Sequence, residues 1–241
     1  TDVAAMGAEA TAAVAAYSDK SFDADPLSRL IAGAVDVCEL VAAEYVGGDL
    51  DTHSEFTTAS TAIGEVTENG VVRRSGAEPG DVLCVTGEWG RSAAALRLFE
   101  RGDTNSVERA NDLFQFTPRV ADGVALAGNA TAMMDSSDGL ARSLYQLAEA
   151  SDVGFALDRD ALPVHPAVEE VAEGPQEQFE LAAHFGEDFE LVCAVPETIL
   201  DSVRDRCPSG LVRVGSVVDA AAGITVDSDD LPDRGYTHRS Q

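Results

Sequence analysis

The feature that most constrains this chain is the alternation of short, wholly apolar runs with stretches of helical periodicity along its whole length. Runs such as Val82-Leu83-Cys84-Val85 and Leu191-Val192-Cys193-Ala194 are too short for buried helices and suit strands covered on both faces. Between them lie periodic segments. Pro26 opens one that is expected to run to about Val46, with Leu27, Leu30, Ile31, Ala34, Cys38, Val41 and Ala42 near one face. Gly47-Gly48 should end it and leave Asp49 in a loop. Further helices are expected at 91–101, 106–128, 138–150, 177–184 and 197–206. Strands are expected at 55–66 (or a hairpin there), 82–86, 131–135, 153–157, 189–195, 211–217 and 224–226. Interleaving of this kind specifies α/β or α+β architecture with mixed sheets. The turn chemistry at 73–80 is the best domain boundary, dividing the chain into 1–74 and 75–241.

Charge narrows the function classes. Sixteen Lys and Arg stand against 43 Asp and Glu, a formal net charge of −27. A surface this negative repels phosphate backbones, which excludes nucleic-acid binding through a basic face. Lys20 is the single Lys, the other basic residues all being Arg. That bias suits concentrated salt: at about 1 M the Debye length is only ~3 Å, so self-repulsion is screened. No apolar run approaches the ~18 residues of a membrane span, and no secretory signal is visible. Cys38, Cys84, Cys193 and Cys207 lie far apart in apolar contexts without a CxxC pair, as expected of buried thiols in a reducing, cytoplasmic compartment.

The familiar phosphate-binding signatures are missing. There is no GxxxxGK[ST], no GxGxxG after a strand, no protein-kinase loop set and no GxSxG elbow, and the four His lack metal-ligand spacing. What remains is a set of carboxylates beside glycines and element ends: Asp2, Asp49, Asp135 and Asp138. Oxygen ligands so placed suit Mg²⁺. Asp138 also fits a plain helix N-cap. The unit Asp135-Ser136-Ser137-Asp138-Gly139 sets two carboxylates and two hydroxyls at a helix start, where backbone N–H groups favour phosphate.

At this point a family resemblance appears. Thr1-Asp2-Val3-Ala4-Ala5-Met6-Gly7-Ala8 resembles the SDxAAMGA segment of the thiamine-monophosphate kinases, and Gly47-Gly48-Asp49 their GGD. Arg74-Ser75-Gly76-Ala77 with Pro79-Gly80-Asp81 is similar to RxGAxxGD, and Asp135–Leu140 to DxSDGL. Phe185-Gly186-Glu187-Asp188-Phe189-Glu190-Leu191 looks like GGEDYEL, and Gly235-Tyr236-Thr237-His238 like the closing GYxHF. The motifs keep family order across the entire chain. DxSDG and GGD recur through the wider aminoimidazole-ribotide-synthetase-like superfamily; GEDxEL points to the thiamine branch. The chain departs from the pattern in Thr1 for Ser, in His184-Phe185 before Gly186, and in Arg239 for the last aromatic.

The resemblance implies a two-domain fold: an incomplete N-terminal α/β domain over 1–74 that holds ATP and metals and dimerises through its sheet, and a C-terminal α/β sandwich over 75–241. It implies ATP-dependent phosphorylation of thiamine monophosphate to thiamine diphosphate by a homodimer using several Mg²⁺ ions, with no side chain acting as acid or base. By family correspondence Asp2, Asp49, Asp135 and Asp138 hold metal, while Gly48, Asp49, Arg74 and Ser137 contact ATP. Glu187 and Tyr236 line the thiamine side. Family members carry a further Asp-rich GDDAA-type segment, expected before Thr1, that supplies more ligands. Two other readings stay open: another synthetase of the superfamily, of selenophosphate or aminoimidazole ribotide type, and a truncated, non-catalytic nucleotide-binding homologue.

Overall fold

A computed structural model of the protein describes residues 1–235. In chain order its elements are α1 (Asp2–Ala5), β1 (Ala8–Asp19), α2 (Ala24–Leu40), β2 (Glu44–Thr52), β3 (Thr57–Val66), β4 (Asp81–Thr86), α3 (Arg91–Arg101), α4 (Thr104–Phe114), α5 (Val120–Leu126), β5 (Ala132–Asp135), α6 (Leu140–Ser151), β6 (Val153–Leu157), α7 (Pro166–Val171), α8 (Pro175–His184), β7 (Leu191–Pro196), α9 (Leu200–Arg204), β8 (Leu211–Asp219), β9 (Ile224–Val226) and β10 (Asp229–Asp230). The strands form two sheets. The first has order β2-β1-β3, and the second β10-β9-β6-β8-β4-β7-β5. Among the described residues no helix is long and apolar enough to cross a membrane.

The seven-stranded sheet is the physical centre of the molecule. Its middle strands are mostly antiparallel, and β4 is buried at every residue. Period-2 alternation divides that burial between two faces. Leu83, Val85, Val192 and Ala194 pack on one side with Leu140, Leu144, Leu147 and Phe155. Val82, Cys84, Cys193 and Val195 pack on the other with Val203, Leu211 and, from the chain start, Ala4 and Ala5. All four cysteines are free and buried. The N-terminal segment is therefore docked onto the second sheet through α1, and the Val72 N–H donates to the Met6 carbonyl at 3.1 Å.

Several expectations from the sequence are corrected. The helix begun near Pro26 ends at Leu40, because Ala42 turns to φ 57°, and Glu44–Thr52 is a strand. Gly47, Gly48 and Asp49 thus lie within β2 and not in a loop. The expected helix at 106–128 is two, α4 and α5, parted by a segment containing Pro118, whose ring cannot continue a helix. The helix at 197–206 shrinks to one 3₁₀ turn and the five residues of α9. Strand β1 adds to the expected set, running through an Ala-rich sequence that shows no clear period.

Candidate functional site

Asp135 ends β5, the edge strand of the larger sheet, and is itself buried. The free side of β5 is closed by the Arg73–Arg74 segment, since the Met133 N–H donates to the Arg73 carbonyl at 2.9 Å. Burial raises the Asp135 carboxyl above its usual range, and the nearby Asp2 carboxylate raises it further; Arg74 pulls the other way. The structure therefore brings Asp2, Arg74 and Asp135 into one electrostatic neighbourhood, although they are far apart in sequence.

The Asp135–Gly139 loop is joined to the Gly186–Glu190 loop by backbone hydrogen bonds. The Glu187 N–H donates to the Ser137 carbonyl at 2.8 Å, Phe189 N–H to the Ser136 carbonyl at 3.1 Å, and Ser136 N–H to the Glu190 carbonyl at 2.9 Å. Close approach demands Gly186, where a Cβ would lie 2.1 Å from the Ser137 carbonyl oxygen. Ser136 is internal, receiving the Ser143 hydroxyl at 3.1 Å, whereas Ser137 is half-buried. Gly235 packs against the Asp138 carbonyl and Arg142, which pairs with Asp233 at 2.6 Å. Tyr236 lies outside the described residues.

Asp138 is not a helix cap. Gly139 is the N-cap of α6, and no side-chain capping bond is made to the first amides of that helix. Gly48 and Asp49 sit on β2 opposite Ala15 and Ala16 of β1. Val46 is a bulge there, and a Cβ on Gly48 would lie 1.7 Å from the Ala15 carbonyl oxygen. The exposed Asp49 carboxylate accepts from its neighbour's N–H, Leu50, at 3.0 Å. Among the described residues no group of three or more His, Cys, Asp or Glu gathers so as to hold a metal ion. The donor chemistry at Asp2 and Asp135 nevertheless fits Mg²⁺, which is commonly bound through one or two carboxylates plus substrate phosphates.

Sequence reasoning missed the layer behind Glu187. Asp188 is buried and accepts from the Gly90 N–H at 2.6 Å and the Ser92 N–H at 2.9 Å, at the start of α3. Burial pushes its carboxyl up to about 6, while those two bonds oppose the rise. Glu190, also buried, accepts the Thr86 hydroxyl at 2.7 Å and both a 2.6 Å Nε bond and an Nη bond from Arg119. Glu187 itself is exposed. The only signal for this sorting was the alternation inside Glu187-Asp188-Phe189-Glu190, which a strand pattern alone could not assign. Glu187 at φ 69° and Phe189 at φ 53° are both left-handed, a strain of roughly 1–3 kcal/mol each that surrounding bonds must hold.

Known proteins share this architecture. The model described as AIR synthase related protein, N-terminal domain, matches residues 1–66, and its C-terminal domain counterpart matches residues 78–227. A thiamine-monophosphate kinase of Halobacterium salinarum is 58% identical over 238 residues, covering 99% of this chain and 80% of that protein. The chain belongs to the thiamine-monophosphate kinase family. A second member, from Methanospirillum hungatei, is 38% identical over 99% of the chain and 77% of its own length. The crystal structure of the family member from Stenotrophomonas maltophilia superposes with a TM-score of 0.86 at 29% identity, covering 95% of this chain and 76% of that one. The structure of AaThiL complexed with AMPPCP and TMP superposes at 0.83 with 25% identity, over 98% and 76% of the respective chains. The two-domain, aminoimidazole-ribotide-synthetase-like fold is thus the fold of this chain.

Proposed function

We propose that this chain transfers the γ-phosphoryl group of ATP to thiamine monophosphate, yielding thiamine diphosphate. The observation that carries the reading is the hydrogen-bonded union of the Asp135–Gly139 and Gly186–Glu190 loops beside the Asp2–Asp135 pair. It sets a phosphate-handling loop and an acidic, outward-facing residue in fixed register. The ATP analogue and TMP bound by AaThiL are consistent with this pairing.

In this reading Arg74 and Ser137 hold ATP phosphates, joined by Gly48 and Asp49 from β2. Glu187 attracts the cationic thiazolium, with Tyr236 stacking on it. The acceptor is a phosphate oxygen that is already anionic, so no general base is needed and catalysis rests on positioning and charge neutralisation. Mg²⁺, when bound, would offset phosphate charge; Asp2 and Asp135 would hold it, with Asp49 and Asp138 as further candidates. Arg74 contributes the fixed positive charge that a Lys gives in other phosphate sites.

Three properties belong to the same proposal. The exposed Val46, Leu50 and Ile63 on the smaller sheet favour a homodimer formed through it. The buried free thiols favour a reducing cytoplasm. The net charge of −27 with a single Lys favours work in concentrated salt. The test is chromatographic detection of thiamine diphosphate from ATP, Mg²⁺ and thiamine monophosphate in multimolar KCl. ADP release with aminoimidazole precursors and none with thiamine monophosphate would transfer the chain to another branch of the superfamily.

A further inference from the structure

Glu187 is held by an anchor that its own exposure conceals. The residue is left-handed, as is Phe189 two positions on, so the intervening Asp188 is turned inward while Glu187 faces solvent. Asp188 is clamped by the first amide groups of α3, an eleven-residue helix, through the Gly90 and Ser92 N–H groups. The Ser92 hydroxyl donates to the Glu187 carbonyl at 2.6 Å, and an Arg91 Nη donates to the Asp188 carbonyl at 3.2 Å. The Phe189 ring stacks on Phe116 at 5.4 Å between centroids, and the Arg91 guanidinium lies over the Phe116 ring. One helix start therefore grips the loop by side chain and backbone at successive residues. A carboxylate there is favoured by the amide dipoles as well as by the bonds themselves.

We infer that Asp188 and Ser92 are positioning residues: they tie the Gly186–Glu190 loop to the start of α3 and so fix where the Glu187 carboxylate stands relative to the Asp135–Gly139 loop. The inference rests on the proposed role of Glu187 toward the thiazolium. An Asn at 188 keeps one acceptor oxygen and turns an NH₂ toward the other amide, so one clamp is lost and the strained loop relaxes. Displacement on the scale of 1 Å can cost up to about a hundredfold in a positioned site. On the ATP side, Ser137 meets this loop through its backbone carbonyl, which accepts the Glu187 N–H, so the Ser137 hydroxyl and Arg74 are expected to shift less than the Glu187 carboxylate.

The experiment compares Asp188→Asn, Ser92→Ala and Glu187→Ala with Asp103→Ala as a matched control. Asp103 caps α4 by accepting from Ser106 at 3.0 Å and takes no part in the loop. Asp188→Asn is expected to raise KM for thiamine monophosphate about tenfold while KM for ATP stays within about twofold, and Ser92→Ala to act in the same direction more weakly. In the Glu187→Ala background Asp188→Asn should add nothing to KM, since it acts through Glu187. Hydrogen exchange gives a substrate-free readout: the Glu187 and Phe189 amides should exchange faster in Asp188→Asn and Ser92→Ala than in Asp103→Ala. If both amides stay protected in folded variants, or if the two KM values rise in proportion, the positioning role is overturned. Should Asp188→Asn fail to fold, Ser92→Ala decides by the same measures. A wild-type chain that makes no thiamine diphosphate overturns the functional reading instead, and the exchange result still judges the anchor.

Discussion

The two sheets of this protein are opposite solutions to covering a sheet. The seven-stranded sheet has side chains packed on both faces, and its central strand β4 is inaccessible throughout. In the three-stranded sheet β3 is exposed at every residue and β2 at most, while Tyr17 and Ala8 are the buried positions of β1. Three strands cannot bury enough apolar area to be independently stable without a packed face. The smaller sheet therefore leans on the helices packed against β1 and β2 and leaves β3 open to solvent, whereas the larger one is a finished core. The candidate site draws on both: Asp135, Ser137 and Glu187 on the finished region, Gly48 and Asp49 on the open one.

The sharpest way to break this contrast is to cut matching holes. Phe155→Ala in the larger core should cost about 3–5 kcal/mol, and Ile63→Ala on β3 about 0.5 kcal/mol or less in the monomer, read from urea unfolding. Equal costs would show that β3 is covered in solution. Turnover supplies the next comparison. Asp135→Asn should keep the fold and lose on the order of 10²-fold in rate, the scale of removing one electrostatic stabiliser. Asp49→Asn should lose less, because its carboxylate is water-exposed and engaged with Leu50; an equal loss would place β2 at the reacting phosphate.

Salt gives a smaller and more distributed effect. Raising KCl from tenths molar to multimolar should raise the melting temperature, since screening removes repulsion among 43 acidic residues. A flat or falling midpoint would discard the adaptation to salt. The smallest effect concerns pH and belongs to the finished region. Burial holds the ring of His165 below its ordinary pKa, and its Nδ1 accepts from the Ala167 N–H to cap α7. The unfolded chain takes up that proton first as pH falls through about 6.5, so this residue's contribution is complete above that pH and declines below it. His165→Asn keeps an acceptor for the cap and should make the loss of stability between pH 6.5 and 5 shallower, as followed by thermal melts.

Part of this molecule was legible because its signals are local. Val82–Val85 and Leu191–Val195 read as doubly covered strands and are so, and the Asp135–Gly139 and Gly186–Glu190 motifs do meet. Other parts misled for equally physical reasons. Ala42-Ala43-Glu44-Tyr45-Val46 continues an apolar, helix-compatible pattern, and only the turn at Ala42 and pairing with β1 make it a strand. Tertiary pairing overrides a weak local preference of that kind.

By itself the sequence determined the class of fold, the buried strands and the order of the loops that carry charge, because burial on two faces and turn chemistry are written in neighbouring residues. It could not say which acid of Glu187-Asp188-Phe189-Glu190 stands in solvent and which are paired within the fold. That was decided by partners 98 and 71 residues away, the Gly90 amide for Asp188 and Arg119 for Glu190. A carboxylate's role follows from whether it is solvated or paired, and only the packed structure brings the pairing groups to it.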